Sequence, residues 1–198
     1  EKDQTKKTSL ALAVMKRAAG DKGFLVLFNE TKYTKVWQEE KSKKIIRTLM
    51  SFLEGDKPRG YGAISQFIFL YISALAIISG SELDGTYTDS FYQKVEDIVR
   101  TYAQSADMTN QDFMKRMELI YKDVVKGAIN KIFEGENRID EGELNQFIQH
   151  FTEDQDSILF TEVNNFIALY WRIKNDNKDT TDKMREVLKY LIKTRDAG

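Results

Sequence analysis

The chain has 198 residues, with 30 lysines and arginines against 31 aspartates and glutamates and a formal net charge of -1. Its length suits one domain or two very small ones, and 41% hydrophobic residues exclude disorder as the main state. The balanced charge gives none of the basic footprint that nucleic-acid binders carry, so we expect no nucleic-acid partner.

The side-chain inventory excludes several kinds of catalysis. The chain has no cysteine, which excludes thiolate nucleophiles, disulfides and iron–sulfur ligation, and His150 is its one histidine. No serine lies in a Gly-x-Ser-x-Gly turn, and no glycine-rich loop ends in Gly-Lys-Ser/Thr. We therefore expect a protein that is not an enzyme and that carries no organic cofactor.

Two features of the sequence bear on where the protein is located. The chain begins with Glu1 rather than methionine, which agrees with a removed signal peptide and also with a trimmed domain. The lack of cysteine agrees with export as well as with the cytosol. On this basis export to the periplasm or the exterior is slightly favoured over a cytoplasmic location.

Apolar residues recur with the helical period along most of the chain, and Pro58 is the one proline. The pattern predicts a single all-α domain over 1–198, a bundle of about seven or eight helices. In chain order the predicted helices cover 10–18, 34–53, 63–79, 88–102, 109–132, 140–152, 158–173 and 181–193, and the segment 148–152 is interpreted as the end of the sixth. The apolar run 24–28 fits either a strand or a buried helical turn.

Two helix starts have capping signals, and the last helix has a clear apolar stripe. Thr109 with Asp112, and Asp140 with Glu143, have the spacing of capping pairs. In the last helix the residues predicted to face inward are Met184, Val187, Leu188, Leu191 and Ile192.

The segment 60–81 differs from all the others because its 22 residues carry no charge. A helix that is apolar on every side is either enclosed by other helices or spans a membrane. We favour a buried central helix near 63–79, because the other predicted helices have apolar stripes that need something to cover. Membrane contact is the less favoured alternative, and a wall beside a small apolar ligand is a third.

An acidic loop follows the helix predicted over 109–132. The loop resembles an EF-hand calcium loop in Phe133 before it, Ile139 within it, Glu143 at its close, and Leu144 and Phe147 after it. The resemblance implies a calcium site made by carboxylates, which are the ligands that calcium prefers. The candidate metal ligands are Glu134, Glu136, Asp140 and Glu143.

The same loop has a structural alternative, because its spacing departs from the EF-hand pattern. Counted from Glu134, Glu143 falls at position ten rather than twelve, and Asn137 stands near the position of the usual glycine. The alternative is a helix–loop–helix in which Asp140 and Glu143 cap the second helix.

These observations together predict a non-enzymatic helical protein that binds a partner protein through exposed helix faces or loops. The alternative is a carrier or sensor of a small apolar ligand held beside the central helix. A further alternative is a calcium-responsive module at the acidic loop.

Overall fold

A computed structural model describes residues 40–52, 61–80, 85–105, 107–135, 138–153, 158–174 and 178–194. Over these ranges the chain forms seven helices and no strand, which confirms the all-α class. The helices are α1 (Glu40–Ser51), α2 (Tyr61–Gly80), α3 (Gly85–Gln104), α4 (Asn110–Ile132), α5 (Glu141–Thr152), α6 (Ile158–Ile173) and α7 (Lys178–Thr194). The predicted helix over 10–18 and the apolar run 24–28 lie outside the described residues.

Local signals set several of these helix boundaries. The backbone N–H of Asp112 donates to the Thr109 hydroxyl oxygen at 3.1 Å, so Thr109 caps α4 as predicted. Helix α6 has the predicted bounds, and α7 begins three residues earlier than the predicted residue 181. A shift of this size is ordinary for a helix boundary predicted from apolar periodicity.

The described residues group into two compact units. The first unit takes in the described residues up to 76 together with 85–121, and the second takes in 77–80 and 122–194. Each unit has its own buried apolar side chains. The single domain over 1–198 stays a prediction.

Aromatic rings stack in the core of the first unit. The rings of Phe67 and Phe113 are 4.2 Å apart between centroids, and the rings of Tyr102 and Phe113 are 4.1 Å apart. Phe52 meets Tyr102 edge-on at 5.4 Å, and the Tyr102 hydroxyl donates to Asn110 Oδ1. Phe113 therefore joins side chains from two other helices, and each ring pair adds roughly 0.5–1.5 kcal/mol beyond its burial.

The second unit contains a three-helix arrangement in which α5, α6 and α7 pack on one another. Each of these helices buries one apolar stripe. The buried side chains include Leu144, Phe147, Phe151, Val163, Ile167, Tyr170, Leu188 and Ile192.

Helix α2, which contains the predicted apolar helix, is buried over most of its described side chains. Ile64, Phe67, Leu70 and Ile77 are fully buried, and Ser73 is buried with them. The hydroxyl oxygen of Ser73 has no hydrogen-bond partner in the described part of the chain. The central position of this helix in the molecule stays a prediction. Among the helices that the structure describes, none combines the length and the apolar character needed to cross a membrane.

Candidate functional site

The candidate calcium ligands Glu134, Glu136 and Asp140 fall between α4 and α5 in the chain, and Glu143 lies in the first turn of α5. The ammonium nitrogen of Lys131 lies 2.9 Å from Oε1 of Glu134, and this hydrogen bond lowers the pKa of the Glu134 carboxyl. Gly135 follows with a φ of 75°, a conformation that side chains disfavour, so glycine lets the chain turn directly after the ion pair. Glu136 lies outside the described residues.

Asp140 is the N-cap of α5. Its Oδ1 accepts a hydrogen bond from the backbone N–H of Glu143 at 3.0 Å, and its φ of -57° and ψ of 132° are non-helical. The Asp140 carbonyl accepts the first helical hydrogen bond, from the N–H of Leu144. The predicted capping by Asp140 is therefore confirmed.

Several carboxylates of the loop are held by protein groups. Glu134 pairs with Lys131, one oxygen of Asp140 caps α5, and Oε1 of Glu141 lies 2.6 Å from the ammonium nitrogen of Lys126. In the described ranges no three histidine, aspartate or glutamate side chains come together as metal ligands. The calcium site that includes Glu136 stays a prediction.

A groove of about 520 Å³ lies along this loop. The charged residues that line it have both signs, with Lys131 and Arg138 beside Glu134 and Glu141. Because both carboxylates already pair with lysines, the groove has no concentration of free negative charge. Its chemistry favours contact with a polar surface of mixed charge.

The last helix, α7, has one buried side and one exposed side. Leu188 and Ile192 are buried, as predicted, and Met184 and Leu191 are half-buried. The prediction for Val187 is wrong, because 51% of this residue is exposed. Successive helical residues are turned by about 100°, so Val187 lies at the edge of the apolar stripe, where half of it remains exposed.

The exposed side of α7 presents two large apolar side chains among charges. Val187 and Tyr190 lie one helical turn apart, and Tyr190 is 66% exposed. We call this surface the α7 outer face, and it consists of Asp179, Asp182, Lys183, Glu186, Val187, Tyr190 and Lys193, all exposed. The prediction of exposed helix faces did not single out Tyr190, although a tyrosine opposite a buried stripe is visible in the sequence.

A groove of about 780 Å³ runs beside this face, and we call it the α7 groove. Phe133 lines it together with six residues of α7, namely Asp182, Lys183, Arg185, Glu186, Val187 and Lys189. Apolar surface from Phe133 and Val187 thus lies next to three cationic side chains. Asp182 and Glu186 line the same groove, so its charges are mixed, with three cations and two anions.

Arg185 anchors the wall of the α7 groove. One of its terminal nitrogens donates to the Tyr170 hydroxyl oxygen at 3.0 Å, and the other lies 3.5 Å from Oδ1 of Asp182. The hydrogen bond to Tyr170 raises the pKa of the guanidinium, which keeps its charge at any ordinary pH. Its Nε is buried and has no acceptor within the described residues. By contrast, Lys183 and Lys189 make no ion pair with the described residues, so their ammonium groups are available to a ligand or partner.

The two grooves bear on the choice among the predicted functions. Neither groove is lined by a residue of α2, so the small apolar ligand beside that helix stays a prediction. His150, the one histidine, lies in the last turn of α5 with its ring 3.9 Å from a Glu153 oxygen, which fits a role at the helix end.

Comparison with protein-family models, with curated proteins and with solved structures finds nothing that matches this chain.

Proposed function

We propose that this protein acts without catalysis, by binding a protein partner through the α7 outer face and the α7 groove. The observation that carries the proposal is the exposure of Val187 and Tyr190 on a helix whose opposite side is buried. Neighbouring exposed apolar side chains that are rimmed by charged residues are typical of interaction surfaces. Tyrosine is also enriched among the residues that carry binding energy at protein interfaces.

The charges around these side chains support a protein partner over a small apolar molecule. The α7 groove is lined by charged groups of both signs, and a small apolar ligand could pair with none of them, including the ammonium groups of Lys183 and Lys189. A partner protein offers carboxylates at the rim and an apolar contact in the middle, which is the usual arrangement of an interface.

The test compares capture of proteins from the native host by three forms of the full chain. The first is the wild type, and the second carries Val187→Asp together with Tyr190→Asp. The matched control carries Leu119→Asp, because Leu119 is 62% exposed on α4 in the first unit. Both replacements leave the buried stripes intact, so far-UV circular dichroism should show the wild-type helix content for all three.

We expect the wild type and the Leu119 variant to capture the same proteins, and the α7 variant to lose them. A single apolar anchor removed from an interface typically weakens binding by about tenfold or more. Equal capture by all three forms would show that the partner binds elsewhere and would overturn the proposal.

A further inference from the structure

We infer that the α7 outer face binds a second copy of itself, with the two α7 helices antiparallel across a twofold axis near Val187. The inference rests on the proposed function and names the partner for the same surface. It depends on how charge is distributed along one helix.

The two halves of α7 carry opposite charge on its exposed side. The first half has the exposed carboxylates of Asp179, Asp182 and Glu186, which outnumber the exposed ammonium groups of Lys178 and Lys183. The second half has the ammonium of Lys193 on the face and that of Lys189 at its edge. An antiparallel copy therefore brings the negative half of one helix against the positive half of the other.

The register follows from the helical period. An axis between Val187 and Leu188 places Asp182 opposite Lys193 of the second copy, and Glu186 opposite Lys189 of the second copy. These four residues lie within about 60° of one another around the helix, on one flank of the face. A twofold axis perpendicular to both helices maps each flank onto itself, so both charge pairs can form at once. Twofold symmetry then makes each pair occur twice.

Apolar contact lies at the middle of the same arrangement. Val187 lies next to the axis on the other flank of the face, about 100–160° around the helix from the four charged residues, and it faces Val187 of the second copy there. Tyr190 lies between the two flanks, one turn further along the helix. Burial of these side chains removes the exposed apolar surface of α7 from water, which supplies the driving force of association. The charge pairs favour the antiparallel orientation over the parallel one.

The length of α7 limits the strength of the association. Its 17 residues span about 25 Å, and a strip of this length buries less than the roughly 800 Å² per partner of a standard interface. We therefore expect a reversible dimer with a dissociation constant on the order of micromolar to hundreds of micromolar.

Sedimentation equilibrium of the full chain, from about 5 to 500 µM, measures this association directly. We expect the wild-type mass to rise from monomer towards dimer over that range. Val187→Asp should abolish the rise. Lys193→Asp should weaken dimerisation about tenfold, because it reverses one charge at two symmetric places. Lys115→Asp is the matched control, since it reverses an exposed lysine on α4, and it should dimerise as the wild type does.

The charge swap Asp182→Lys with Lys193→Asp is the sharpest arm of the experiment. The swap keeps the net charge and restores opposite charges across the proposed axis, so it should recover most of the dimerisation that Lys193→Asp loses. Failure of the swap to recover it would overturn the antiparallel register, and a wild type that stays monomeric at about 500 µM would overturn the dimer. If that monomer still captures host proteins through Val187 and Tyr190, the proposed function stands and only the second copy is excluded.

Discussion

Replacing Phe113 with leucine removes the ring that two aromatic stacks share. Phe113 is fully buried, with its ring centroid 4.2 Å from that of Phe67 and 4.1 Å from that of Tyr102. Two ring pairs at about 0.5–1.5 kcal/mol each amount to roughly 1–3 kcal/mol. The space left by the smaller side chain adds about 1 kcal/mol, so we expect the free energy of unfolding to fall by about 2–4 kcal/mol.

Urea denaturation followed by far-UV circular dichroism measures this loss. The control is Leu119→Ala, which truncates an exposed side chain on the same helix and should change the free energy of unfolding by no more than about 0.5 kcal/mol. A double-mutant cycle with Phe67→Leu then isolates the ring pair, and we expect a coupling energy of about 0.5–1.5 kcal/mol. A Phe113→Leu loss below about 1 kcal/mol, or energies of the two replacements that simply add, would refute the stack as a source of stability.

Three further predictions concern single groups. Asp140→Ala should lower the free energy of unfolding by about 1 kcal/mol, whereas Asp140→Asn should lower it much less, because asparagine also caps helices. Equal losses for the two variants in urea denaturation would contradict the cap. Lys131→Met should raise the midpoint of the Glu134 titration followed by NMR, because it removes the hydrogen bond that lowers this pKa. Since the pKa of Glu134 is depressed in the folded protein, the stabilisation is present above the unfolded pKa of Glu134 and is lost as pH falls through the folded pKa. The free energies of unfolding of the wild type and this variant should therefore differ less in acid. Ser73→Ala should raise the free energy of unfolding by about 1 kcal/mol, because the buried hydroxyl oxygen has no partner in the described residues, and a clear loss in urea denaturation would mean that the hydroxyl is satisfied.

The parts of the fold that the sequence predicts are those set by neighbours in the chain. The caps at Thr109 and Asp140 depend on contacts over three residues, and both are present as predicted. The bounds of α6 also agree with its apolar run. The ion pair between Lys131 and Glu134 has the same short range, so the spacing of these two charges could have predicted it.

The aromatic stack of the first unit had no signal in the sequence. Phe67, Tyr102 and Phe113 come from three helices, and the periodicity of each helix predicts only that such rings face inward. Which rings meet depends on the axial position and rotation of one helix against another, which packing decides. The apolar pattern thus indicates that such rings are buried without identifying their partners.

The α7 outer face shows where periodicity fails and why the failure is informative. Helical spacing predicts where an apolar stripe is centred but not how wide it is, so it places Val187 in the core although half of this residue is exposed. Valine has a poorer helix propensity than the alanine, glutamate or lysine that an exposed helical position tolerates, because its branched side chain loses rotamer freedom. The valine at position 187, which lies beside the exposed Tyr190, therefore does not stabilise the helix itself. Departures of this kind concentrate at functional sites, which is the physical reason to test α7 before any other surface of the described chain.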